Sequence, residues 1–157
     1  MNKTIYFDMD GTIANLYDVK DWLPKLEQED PTPYSEAKPL VDMKKLNTLC
    51  KQLIEKGYQI GIISWLAKNS TKGYTQQVRQ AKRDWIKQYF PNVQEVHIIK
   101  YGTNKRRIGK TGDILFDDEL RNNIQWESNK QDRESILCRK FHEQIIFGKL
   151  RELLQTA

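Results

Sequence analysis

Cysteine and histidine are nearly absent, with two of each in 157 residues. Cys50 and Cys138 show no metal-ligand spacing, and each falls in a helical pattern. His97, inside a strand pattern, and His142, in the last helical stretch, have no partner pattern and receive no role. The chain therefore offers no metal–thiolate or disulfide framework, and reduced thiols in a cytoplasmic setting are expected. Long apolar runs are missing too; none approaches the ~20 residues of a membrane-spanning helix. Residues 1–4 lead straight into a strand pattern, so no signal peptide is expected. Internal repeats and low-complexity segments are also lacking.

What is present suits one globular domain. Apolar residues make up 38% and charged residues 30%, and the length suffices for a real core. The net charge of +5 favours anionic partners only weakly, since charge of this size is common in proteins that never meet nucleic acid.

The most informative stretch is Ile5-Tyr6-Phe7-Asp8-Met9-Asp10-Gly11-Thr12-Ile13. Residues 4–7 are β-branched and aromatic without alternation, the pattern of a strand buried on both faces. Gly11 ends it with a turn. A period of two puts Asp8 and Asp10 on one side; at the carboxyl end of a parallel strand they would sit where open α/β sheets bind ligands. Two carboxylates so close both stay ionised only beside a cation, and an oxygen-only ligand set suits Mg²⁺. A lone D-x-D would be better read as a capping Asp before a turn. The apolar strand ahead of it and the Gly-Thr behind it point to a site instead. The stretch resembles motif I, D-x-D-G-T, of the haloacid dehalogenase (HAD) superfamily, which consists mostly of phosphatases.

Downstream, strand and helix patterns alternate. Residues 15–38 are irregular, with Trp22, Pro24, Pro31, Pro33 and Tyr34 among acidic Glu27, Glu29 and Asp30. Residues 18–26 can form a short helix, whereas 30–33 cannot. In the resembled family an insertion after motif I is a cap over the site, here a very small one; a packing loop closing one edge of the core is the alternative. Pro39 suits a first helical turn, Leu40, Met43, Leu46, Leu49 and Leu53 repeat at helical spacing, and Gly57 stops the pattern. Residues 58–63 read as a second strand ending at Ser64-Trp65, and 75–90 as a helix with Val78, Ala81, Trp85, Ile86 and Tyr89 inward. Residues 93–99 read as a third strand and 113–116 as a fourth, which closes on Asp117-Asp118. Residues 121–126 suggest a helical turn. Residues 133–154 read as a long amphipathic helix carrying Ile136, Leu137, Phe141, Ile145, Leu150, Leu153 and Leu154 on one side, and 125–128 are the only candidate for a fifth strand. The expected fold is α/β: a three-layer, Rossmann-like parallel sheet of HAD type with a short cap insertion after strand 1. Residues 1–157 would form one domain, with 15–38 as the insertion.

Three strand ends thus carry polar residues: Asp8/Asp10, Ser64 and Asp117/Asp118, with a basic loop over residues 100–112 before the last. This order resembles motifs I to IV of the HAD superfamily over residues 3–122. The resemblance implies Asp8 as nucleophile, forming an aspartyl-phosphate, and Asp10 as general acid and then base. It implies Thr12 and Ser64 as phosphate ligands, and Mg²⁺ held by Asp8, Asp10 (through its backbone carbonyl), Asp117 and Asp118. The family lysine has three candidates in the loop: Lys105, which follows the turn Tyr101-Gly102-Thr103-Asn104, then Lys110 and Lys100. Arg106 and Arg107 read as a solvated face. Trp22, Tyr34 and Trp65 either line a substrate pocket or pack. Taken alone, Ser64 is a turn serine and Asp117-Asp118-Glu119 a helix N-terminus; the second reading is compatible with a metal role.

The function implied is Mg²⁺-dependent phosphomonoester hydrolysis of a phosphorylated small molecule. The short spacing before Asp117 and the Asp-Ile-Leu-Phe-Asp-Asp ending resemble the 5′-nucleotidase branch and suggest a nucleotide. A phosphate on a nucleic-acid end is the alternative. Asp10 argues against a dehalogenase, whose leaving group needs no acid. A signalling receiver also gathers acidic residues, Ser/Thr and Lys around a phosphorylated Asp, but its acidic doublet comes first in sequence rather than last. A catalytically silent phosphate-binding domain would have to retain all of these motifs without using them. No membrane or protein partner is implied.

Overall fold

The computed structural model describes residues 2–129 and 132–156. Five parallel strands form one sheet in the order β3-β2-β1-β4-β5: β1 Thr4–Phe7, β2 Gln59–Trp65, β3 Glu95–Ile99, β4 Ile114–Asp117 and β5 Glu134–Leu137. Every residue of β1 is buried, as its unbroken apolar run requires of a central strand. The register sets Ile5 beside Ile60 and Ile114, and Phe7 beside Ile62 and Phe116. These rows face a core with Leu46, Leu53, Trp85, Ile146 and Leu150. On the opposite face Tyr6 meets Leu115, Ile63 and Trp126. The chain steps from β1 outward to β3, then returns to the other side of β1 for β4. The crevice at the carboxyl ends of β1 and β4 is therefore the point where the connections reverse, the usual ligand site of an open α/β sheet.

Helices cover the faces. After a 3₁₀ turn at Leu16–Asp18 come α1 (Trp22–Glu27), α2 (Thr32–Glu36), α3 (Met43–Glu55), α4 (Lys72–Tyr89), α5 (Leu120–Glu127) and α6 (His142–Thr156); a second 3₁₀ turn spans Lys105–Arg107. Asp42 caps α3, its carboxylate accepting from Lys45 N–H at 3.2 Å, and Gly57 leaves that helix at φ +102°. Thr71 caps α4. Among the described residues no helix is long and apolar enough to cross a membrane.

Several expectations need correction. The fifth strand is β5, Glu134–Leu137, not 125–128, which falls largely in α5. The long C-terminal helix begins at His142 rather than at 133. β5 is an edge strand, half-buried at its two central residues, so it shows neither a buried run nor a clear alternation, and Ile136 and Leu137 merged with the helical stripe that follows. Phe141 breaks that stripe, with φ +55° and its ring largely exposed. Cys138 consequently lies just past β5, where its N–H donates to the Asp117 carbonyl at 2.9 Å. Pro39 does not open α3, which starts at Met43; it bridges Ala14 instead. Of residues 30–33, Thr32 and Pro33 do enter a helix: α2 has Pro33 in its first turn, where a missing N–H leaves no bond unmade.

Residues 15–38 are bound to α4. The Glu29 carboxylate accepts from Thr71 N–H and Oγ1 at 2.9 and 3.0 Å. The Tyr74 hydroxyl donates to the Asp30 carbonyl at 3.0 Å, and Trp85 Nε1–H to that of Ala37 at 2.7 Å.

The basic loop is fixed from the other side of the sheet. Arg133 donates to the carbonyls of Arg106 and Gly109, both at 2.8 Å, while its guanidinium lies 5.1 Å from the centroid of the buried Trp126 ring. A Cβ on Gly109 would run into that ring. Gly109→Ala is therefore expected to lower unfolding stability by about 1–3 kcal/mol, the usual cost of overpacking, read as an earlier urea midpoint with an unchanged slope.

Candidate active site

Asp8 is the first residue beyond β1. Its N–H donates to Phe116 O at 2.9 Å, prolonging the β1–β4 ladder by one bond and placing the side chain at the crevice. The chain then wraps tightly, with the N–H groups of Thr12, Ile13 and Ala14 all directed at Met9 O. Gly11, at φ +84°, permits this turn, and Asp118 packs where a side chain at residue 11 would stand. His142 Nε2 donates to the Gly11 carbonyl at 3.0 Å.

The loop after β3 delivers Lys105. Of the three lysine candidates it alone is buried, at 1% exposure; Lys100 and Lys110 are exposed. Its ammonium group donates to Asp8 Oδ1 at 2.8 Å and to Asp117 Oδ2 at 2.7 Å. The other Asp8 oxygen accepts from Thr12 Oγ1 at 3.0 Å, so the Thr12 hydroxyl orients a carboxylate. Asp117 also accepts from Asn122 Nδ2 at 3.1 Å and Glu119 N–H at 2.9 Å. Arg107 faces solvent, and Arg106 donates from Nε to Ser128 O at 3.1 Å. Ser64, at the end of β2, is fully buried.

One carboxylate oxygen each from Asp8, Asp117 and Asp118 lies within 4.8 Å of the others. This is a compact set of hard oxygen donors, which suits a divalent cation of the Mg²⁺ kind. The electrostatics point the same way. Burial acts to raise Asp8, but the Lys105 ammonium, a hydrogen bond with Asp118 and the charge of Lys82 together outweigh it and hold Asp8 below its ordinary value. Burial acts to lower Lys105, and the Asp8 and Asp117 carboxylates more than reverse that. Burial, then repulsion from Asp8, pushes Asp117 up to about 6 and Asp118 up to about 9. The cluster is short of positive charge, and a bound cation would supply it.

The Asp10 side chain stands apart from this trio. Its carboxylate pairs with Lys82 at 2.8 Å. Burial raises its proton affinity, and Lys82 opposes that.

The cluster opens into a cavity of about 260 Å³ whose walls include Tyr17, Trp22, Leu23, Tyr34, Trp65 and Tyr101. Trp22 and Tyr34 come from residues 15–38. Trp65 and Tyr101 come from the ends of β2 and β3, their ring centroids 5.0 Å apart.

Sequence reasoning missed Lys82, Asn122, Tyr17 and Tyr101. Lys82 did leave a signal: it follows Val78 by four residues and precedes Trp85 by three, so it lies on the apolar stripe of α4. Asn122, one turn into α5, gave no comparable sign.

No protein-family model matches the sequence, and no curated protein matches it. Similarity appears in three dimensions. D,D-heptose 1,7-bisphosphate phosphatase from B. bronchiseptica, solved with magnesium and phosphate, superposes with a TM-score of 0.58 at 12% identity, over 99% of each chain. The enzyme of that name from Burkholderia thailandensis gives 0.55 at 10% identity, over 94% of this chain and 85% of that one. A HAD family enzyme from Bacteroides thetaiotaomicron, in complex with magnesium and inorganic phosphate, gives 0.50 at 11% identity, over 87% and 93%. At such identities the likeness is one of architecture: the chain has a HAD-like α/β fold, as the sequence led one to expect.

The raised Asp118 sets the pH dependence of the cation-free protein. An unfolded chain loses that proton near its ordinary value of 3.8, whereas the folded one keeps it up to about 9. Across that window each rise in pH favours unfolding, and a bound cation, which stabilises the ionised form, reverses the trend. In chelator, Tm is expected to fall as pH rises from about 6 to about 8.5, and the gain in Tm on adding Mg²⁺ should be larger at the higher pH by on the order of 5 °C. Scanning fluorimetry at the two pH values reads both effects.

Proposed function

We propose that this protein is a Mg²⁺-dependent phosphomonoester hydrolase that works through a phosphorylated Asp8. The observation that carries this reading is Asp8 itself: buried, ionised, bonded on both oxygens by Lys105 and Thr12, and grouped with Asp117 and Asp118 at the sheet's crevice. A carboxylate held this way is a poised nucleophile rather than a structural cap. The bound cation would screen Asp8 from the phosphate and gather phosphoryl oxygens. Asp8 attacks phosphorus in line while the ester P–O bond breaks, and Asp10 gives the leaving oxygen a proton. Water then attacks the aspartyl-phosphate, Asp10 takes a proton from it, and inorganic phosphate departs with Asp8 restored. An ammonium group has three N–H donors and two of Lys105's are engaged, which leaves one for a phosphoryl oxygen. The Ser64 hydroxyl is a second donor.

Residues 15–38 act in this reading as a small cap, and their aromatic residues choose the substrate. Beyond the carboxylate cluster the cavity wall carries a cation at Lys68, and otherwise mostly aromatic and leucine side chains. That lining suits a monophosphate ester of a flat, weakly polar group better than a sugar bisphosphate, and a nucleoside 5′-monophosphate is the proposed substrate. A phosphorylated nucleic-acid end is the second reading. It is favoured by Tyr17 and Tyr101, half-exposed at 50% and 47%, which leave the mouth open to a longer chain; its activity would fall steeply with salt.

Asp8→Asn should lower kcat by more than about 10³-fold, and chelator should abolish turnover reversibly, on a panel of nucleoside monophosphates and sugar phosphates. Trp22→Ala should raise KM for the preferred nucleotide about tenfold, the loss of one stacking contact, while a sugar phosphate is unaffected. Steady-state kinetics check both. Equal turnover of sugar phosphates and nucleotides would count against the nucleotide assignment.

A further inference from the structure

Lys82 is a fully buried lysine on α4 with no place in the scheme above. Its ammonium group donates to Asp10 Oδ2 at 2.8 Å, to Ser64 Oγ at 2.6 Å and to the Trp65 carbonyl at 2.7 Å. The ring of Tyr34, from α2, lies 4.9 Å from it. The two buried lysines of the site are therefore not equivalent. Lys105 meets two acceptors and keeps one N–H for a ligand; Lys82 meets three and keeps none. A saturated, water-free ammonium does not bind substrate, so whatever it does, it does through its three acceptors.

Two of those acceptors are the groups on which the proposed chemistry turns. Asp10 has one oxygen fixed by Lys82 and the other left for exchanging a proton with substrate or water. Ser64 accepts from Lys82, so its own hydroxyl hydrogen is free to point at a phosphoryl oxygen. The third bond, to the carbonyl at the end of β2, locks the ammonium to the sheet. A buried cation with three short bonds is a rigid fixture, and a proton donor must stand within a few tenths of an ångström of the atom it serves.

We propose that Lys82 is a positioning residue for Asp10, holding its carboxylate where the free oxygen reaches the leaving group, with a smaller contribution through Ser64. This rests on the phosphatase reading. It makes a demand that a structural role does not: the loss on removing Lys82 must depend on how much the leaving group needs a proton.

The test compares two esters, a nucleoside 5′-monophosphate, whose leaving alkoxide must be protonated, and p-nitrophenyl phosphate, whose phenolate departs without help. Wild type and Asp8→Asn come first; turnover of neither ester by wild type overturns the small-molecule phosphatase reading, and this inference with it. Given wild-type turnover, Lys82→Met is expected to lose about 100-fold in kcat/KM on the nucleotide, the range typical of a misplaced general acid; kcat/KM reads the step in which the leaving group departs, not the later hydrolysis of the aspartyl-phosphate that both esters share. The loss in kcat/KM on p-nitrophenyl phosphate should be less than about tenfold. Equal losses in kcat/KM on the two esters, or a rise in KM with kcat unchanged, would overturn the inference. Lys82→Met leaves the half-buried Asp10 without its partner, and thermal melting shows whether it folds. Asp10→Asn/Lys82→Met removes both charges and restores neutrality. It is expected to lie within about tenfold of Asp10→Asn alone on both esters, since Lys82 then has no acid to place; a further loss near 100-fold would show that Lys82 acts by another route.

Discussion

Lys105 meets Asp8 at 2.8 Å and Asp117 at 2.7 Å in a place water scarcely reaches. Such a pairing is costly to assemble, because three charges leave water together, and costlier to break, because the remainder would be buried unpaired. The two carboxylates come from the ends of β1 and β4, so the bridge exists only if those strands are neighbours and in register. The lysine arrives from a loop that must be held at a fixed height over the sheet. Arg133, the Trp126 ring and the close approach at Gly109 hold it there. Much of the packing on that face can be understood as scaffolding for one ammonium group.

The charge pattern separates two jobs. Asp10 and Lys82 form a balanced pair beside Ser64. Asp8, Asp117 and Asp118 share a single ammonium, and the excess shows in Asp118, whose proton is held far above the ordinary carboxylate range. One half of the site is neutral and rigid, the half to which we assign proton transfer. The other is electron-rich and incomplete without a cation, the half to which we assign metal and phosphate. No His or Cys takes part, consistent with the scarcity of both and with chemistry built entirely on oxygen donors and ammonium groups.

What could be read in advance divides along physical lines. β1 was plain because a central strand buried on both faces has no freedom to vary its pattern, and the D-x-D-G-T turn follows directly from it. The helices α3 and α4 were visible through their apolar stripes. β5 was not: a four-residue edge strand, exposed at both ends and half-buried between, answers to one neighbour and leaves almost no periodic trace. Lys105 was one of three lysines in a basic loop, since loop sequence does not encode which side chain turns inward. Lys82 was overlooked for the opposite reason: the helix around it was read for its apolar residues, and the charged residue on the same stripe was the informative one. The same stripe places Lys82 beneath the aromatic side chain of Tyr34, a contact between segments that no local pattern announces.

The bonds from Glu29 to Thr71, Asp30 to Tyr74 and Ala37 to Trp85 bind residues 15–38 to the helix that also carries Lys82. A covering segment on a free hinge makes each encounter wait for closure, and its ordering subtracts from affinity. On the proposed function, the roof and the anchor of Asp10 belong to one hydrogen-bonded unit, so a substrate would enter without waiting on a hinge. The width of the mouth would then set the largest group admitted, and selection would operate as a sieve rather than as a switch.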